Sequence, residues 1–102
     1  MEQRDYIERL IQQIAAFVAR IVGAARNGDS KDAEQALHDA WQALGLPWKD
    51  ATRLDGATLK MLLGAKADLA ASLLDAQAVV EESRSNATLA DTLRSRATML
   101  RG

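Results

Sequence analysis

Few residues of this 102-residue chain have the type and spacing that chemistry asks for. His38 is the sole histidine, with Glu34 one helical turn before it and Gln42 one turn after. A carboxylate beside an imidazole can act as a general base. The same spacing is what any solvated helix face carries, and that plainer reading is the expected one. There is no cysteine, so thiolate and multi-histidine metal sites are excluded for a single chain. Glu81 and Glu82 are adjacent, so on a helix they diverge by about 100° and cannot share a metal without a second helix. Of the five serines, none lies in a nucleophile-elbow context, and Ser30 and Ser85 fit helix caps. Gly28, Gly45, Gly56 and Gly64 are spaced as helix stops, not as a phosphate-cradling loop. The expectation is therefore no catalysis, no cofactor and no metal.

Charge points the same way. Thirteen basic residues stand against 14 acidic ones, a net charge of −1. Nucleic-acid binding draws its affinity from phosphate neutralisation, which calls for a basic excess. In the C-terminal segment Arg84, Arg94, Arg96 and Arg101 are expected to face only Asp91 as an acid. Without aromatic platforms they read as a polar outer face of the last helix. Nucleic acid is not an expected partner.

What could hold these groups is helix. Alanine (20 residues) and leucine (14) dominate, and there is one proline, a mix that loses little conformational freedom on entering a helix. An all-α fold in one domain, residues 1–102, follows. Between Asp5 and Arg26 the apolar residues Ile7, Leu10, Ile11, Ile14, Phe17, Val18, Ile21, Val22 and Ala25 recur at gaps of three and four. This stripe carries more large apolar surface than any other segment, and a central position in the core is expected for it. Asp5, with Glu8 three residues on, reads as its N-cap. Glu2, Asp5 and Glu8 sit where a signal peptide would be basic. Arg20 interrupts the apolar run, which is shorter than the ~20 residues that span a bilayer. A cytoplasmic chain with no membrane contact is expected.

Asn27-Gly28 ends the first helix, and Ala33, Ala36, Leu37, Ala40, Trp41 and Leu44 define a second, stopped at Gly45. So short a link makes residues 5–45 an antiparallel hairpin. Residues 46–64 read as a connector of two short helices, one opening at Pro47 and one capped by Asp55. They are expected to lay Trp48, Leu54 and Leu62 on the first hairpin. Residues 65–101 form a second hairpin that turns at Ser85-Asn86. About five helices result.

The first hairpin resembles a tetratricopeptide-type hairpin. The matching residues are Gly28-Asp29 at the turn, then Ala33, Leu37 and Ala40, with Phe17 in the place of the large aromatic. Ile21 and Ala24 depart from the pattern. At an offset of 57 residues, Ala33 maps to Ala90 and Ala40 to Ala97, though that hairpin lacks a turn glycine and has Arg94 at an apolar position. The opening Asp5-Tyr6-Ile7-Glu8-Arg9-Leu10-Ile11 and the helix order are also similar to a group of short, functionally uncharacterised bacterial proteins. The resemblance implies a protein–protein interaction module, its groove lined by Val18, Val22, Ala25 and Arg26 of the first helix. Three of these four are apolar, so the connector or the fourth helix is expected to cover that face. Two hairpins are fewer than a stable stack usually needs, so closure must come from the connector or from a second copy of the chain, and a homodimer is expected. Trp48 could add a contact at such an interface. The alternative is a small-molecule pocket among Phe17, Trp41, Trp48 and Met61.

Overall fold

The computed structural model describes residues 2–102, and of residues 2–4 and 52 the backbone alone. Among the described residues there are six α-helices and no strand: α1 (Glu2–Arg26), α2 (Ser30–Ala43), α3 (Trp48–Arg53), α4 (Gly56–Leu63), α5 (Ala67–Ser83) and α6 (Ala87–Arg101). A single 3-10 turn, Gly64–Lys66, leads into α5. The fold is an all-α bundle. Because α1 already begins at Glu2, Asp5 lies inside the helix and is not its N-cap, contrary to the expectation from its spacing.

Both long hairpins turn in the same way. Gly28 has φ +75° and Ser85 has φ +63°. After each, a backbone N–H reaches back to the preceding helix, from Asp29 to the Ala24 carbonyl at 2.8 Å and from Asn86 to the Glu81 carbonyl at 2.9 Å. The following helix is then capped by that same residue. Asp29 accepts from the Asp32 N–H, and Asn86 from the Leu89 N–H. The 57-residue offset therefore holds through the turn, with Ser85 in the left-handed conformation that glycine occupies in the first hairpin. Ala33 and Ala90, and Ala40 and Ala97, are all fully buried, which lets each pair of helices approach closely.

The centre of the bundle is α5, not α1. It packs on α1 and α2 on one side and on α6 and α4 on the other. Ala67, Ala70, Ala71, Leu73, Leu74, Ala76, Gln77, Ala78 and Val80 are all buried along it. α1 contributes Leu10, Ile14, Ile21, Ala24 and Ala25 to the core. Phe17, expected among them, is only half-buried, because its angle on the helix places it at the rim beside Gln13, Ala16 and Arg20.

The connector divides its loyalties. α3 packs on α2, with Trp48 and Leu54 against the core as expected. α4 instead packs on α5 and α6 through Leu59 and Leu63, and Leu62 is left 61% exposed. The phase is fixed by Gly56, where an added Cβ would lie 2.5 Å from the Met99 sulfur of α6. That approach turns Leu59 and Leu63 inward and Leu62 out.

These packing roles separate by mutation. Leu73→Ala should cost about 2–5 kcal/mol, whereas Leu62→Ala should stay within about 0.5 kcal/mol, both read from urea midpoints. In the same assay Ser85→Gly should add about 0.5–1 kcal/mol, since only glycine occupies a left-handed turn without steric cost. A loss of stability in Ser85→Gly would contradict the turn geometry.

Candidate protein-binding surface

α1 and α5 run side by side in the same direction. Near their N-terminal ends the ammonium of Lys66, just ahead of α5, sits 5.7 Å from the centre of the Tyr6 ring of α1, a distance at which a cation is attracted to the ring face. At the other end, Arg84 just past α5 pairs with Glu34 at the start of α2 at 2.5 Å. Since α2 returns antiparallel from α1, the C-terminal ends of α1 and α5 also lie together. Between them runs a cleft of about 320 Å³ lined by Ile11, Ile14, Ala15, Val18, Leu69 and Ser72. Ile14 forms its floor, fully buried, while Ile11 on its lip is 47% exposed.

Of the residues singled out from sequence, Val18 lines this cleft, Val22 lies half-buried one turn further on, and Arg26 is exposed at the end of α1. Ala25, placed with them by the spacing, is buried. The fourth helix read from sequence, here α5, does cover the face, but only in part. Trp48 is not brought to this surface. It lines a separate, polar cleft of about 700 Å³ along α2 with Asp29, Lys31, Asp32, Glu34, Gln35 and His38. Ile11 and Leu69 were not singled out. Their signal is present, because Ile11, Ala15, Val18 and Val22 follow one another at gaps of three and four on one face of α1.

The four residues expected to form a small-molecule pocket are not gathered into one. Trp41 is fully buried and Met61 is 84% exposed. Phe17 and Trp48 line different clefts, one beside Arg20 and one beside His38.

Several charged side chains pair across helices. Arg20 of α1 pairs with Asp32 of α2 at 2.6 Å and lies 4.0 Å from Asp39. Arg84 bridges to Glu34 and Glu81, Arg94 pairs with Glu82, and Arg101 pairs with Asp75 at 2.7 Å. The C-terminal arginines thus face Glu34, Asp75, Glu81 and Glu82, and not only Asp91. Glu81 is one turn from Arg84 in sequence, whereas folding back brings Glu34 to Arg84, Glu82 to Arg94 and Asp75 to Arg101. The Glu34 carboxylate, poised beside His38 in sequence, is held by Arg84. Glu81 and Glu82 diverge, one to Arg84 and the other to Arg94. Among the described residues no three acids or histidines converge as a metal site, and no helix is long and apolar enough to cross a membrane.

Three carboxyl groups are held below the usual carboxylate range. Asp32 is lowered by the hydrogen bond from Arg20, Asp55 by the backbone N–H of Thr58, and Glu82 by the hydrogen bond from Arg94. Compared with known proteins, the chain matches no family model, no curated protein and no solved structure.

A pH dependence follows from the three carboxyl groups. The unfolded chain binds their protons more readily than the folded one, so their stabilisation is complete above the ordinary carboxylate pKa of about 4. It is lost as the pH falls through the depressed values. Urea midpoints should drop on acidification, and the drop should be smaller in Asp55→Asn and Glu82→Gln. An acid-insensitive midpoint would contradict these assignments.

Proposed function

We propose that the chain is a small cytoplasmic protein–protein interaction module, tetratricopeptide-like in its hairpins, that associates with a second copy of itself. It performs no catalysis in this reading. The observation that carries the proposal is the α1–α5 face, where Ile11 is 47% exposed at the mouth of an apolar cleft. Val18, Val22 and Leu69 extend that apolar face while resting on the core. Apolar surface gathered on one face, rather than scattered singly, is characteristic of contact sites. The repeated turn at Gly28 and Ser85 supports the likeness to stacked hairpins. In such stacks each repeat buries its open side against the next, and here the α1–α5 face is closed only in part.

Other classes of function draw less support. The dispersal of Phe17, Trp41, Trp48 and Met61 removes the pocket on which small-molecule binding was to rest. Pairing of Arg84, Arg94 and Arg101 with acids consumes the charge that nucleic acid would require.

Light scattering at micromolar concentrations should give twice the chain mass of 11.1 kDa. Ile11→Lys, a change at an exposed position, should return the mass to that of one chain with unchanged helicity by circular dichroism. A single-chain mass for the unsubstituted protein across the range would overturn self-association.

A further inference from the structure

The outer face of α1 is self-complementary when the helix is reversed. Glu8 and Arg26 are 18 residues apart (26 − 8), which is five turns of 3.6 residues. They therefore lie on one line along the helix, about 27 Å apart. Both are exposed, as are Ile11, Gln12, Ala15 and Ala19 between them. The midpoint of the line is position 17. Reversal about that point carries Glu8 onto the place of Arg26 and Ala15 onto the place of Ala19. The two alanines flank the line by equal angles of about 20°, one on each side. Ile11 and Val22 both lie on the α5 side of the line, and Gln12 and Gly23 both on the other. At Gly23 no atom lies within 4 Å of where a Cβ would be, so the surface there is open.

We propose that α1 docks antiparallel on α1 of a second copy, with Glu8 against Arg26 of the other chain at both ends of the contact. Ala15 and Ala19 meet at its centre, where small side chains allow the helices to come close. Ile11 covers Val22 of the other copy beside the α1–α5 cleft, and Gln12 lies over Gly23. Opposite charges occur at both ends only in the antiparallel arrangement. A parallel pairing would set Glu8 against Glu8 and Arg26 against Arg26. Charge complementarity of this kind selects orientation and partner more than it adds affinity. The proposal rests on the self-association reading above and adds its geometry.

Charge reversal tests it on the whole chain. Glu8→Arg and Arg26→Glu should each weaken the dimer roughly tenfold in sedimentation or light-scattering titrations, because each creates two like-charge contacts. The double variant Glu8→Arg/Arg26→Glu should recover the original affinity, and so should an equimolar mixture of the two single variants. The double variant retains the unfavourable interaction of Arg26→Glu with the C-terminal end of the helix dipole, so its recovery cannot come from the helix itself. Circular dichroism on each variant separates a lost contact from a lost fold. A dimer indifferent to all of these changes would overturn this docking and leave self-association standing. A double variant as weak as the single ones would overturn it too. A single-chain mass for the unsubstituted protein would overturn both readings.

Discussion

Burial of α5 from nearly every side is the constraint on which the rest of the bundle depends. Helices pack with axes 8–10 Å apart, and a 17-residue helix can be surrounded by four others only if its side chains are short. Ala67, Ala70, Ala71, Ala76 and Ala78 meet that need, with Leu73, Leu74 and Val80 filling the wider gaps. The partners answer with alanines of their own, Ala33, Ala36 and Ala40 on α2 and Ala90 and Ala97 on α6. Gln77 is the exception, buried with its carbonyl oxygen unpartnered, a group whose desolvation opposes folding. A core built from small residues gains less per residue than one built from leucine, so its stability rests on the number of close contacts.

Ion pairs then hold the edges of that packing in register. Arg20 ties α1 to α2, Arg84 ties the α5–α6 turn to α2, and Arg94 and Arg101 tie α6 to α5. All are exposed to some degree, and such pairs contribute little free energy in water. Their effect is on which faces meet. Arg84 is the informative one, since its contact with Glu34 spans the two hairpins and fixes the end of α5 against the start of α2. That contact sits at the end of the parallel run of α1 and α5, along which the cleft between them lies.

Much of this was legible in the residues, because alanine and leucine spacing, caps and stops define helices locally. The bounds of α2, α5 and α6 follow from Asp29, Gly45, Ser83 and Asn86 with little help from tertiary structure. Which helix is central was not legible. α1 shows the strongest alternation of large apolar and polar residues because it is a surface helix with one covered side. α5 shows little alternation because it has almost no outside. A weak periodic signal in an alanine-rich segment marked the centre, and the strong one marked the flank. The phase of α4 was hidden for a related reason. Leu62 and Leu63 are neighbours of the same type, and the close approach of Gly56 to Met99 sets Leu63 inward with Leu59. Glu34 was hidden as a partner because it lies 50 residues from Arg84, and Glu82 because it lies 12 from Arg94.

The candidate surface is a consequence of the same geometry. Two similar hairpins stacked in parallel give α5 neighbours on both sides, but give α1 only α2 and α5. The apolar positions of α1 that face α2 and the core are closed, as Ile14, Ile21 and Ala24 show. Those turned toward α5 are closed only as far as α5 reaches, which leaves Val18 and Val22 partly exposed and Ile11 47% exposed. Replacing Ile11 with a polar residue would cost the isolated chain little, since so much of it already meets water. A contact outside the chain would give that side chain a physical role that the bundle alone does not supply.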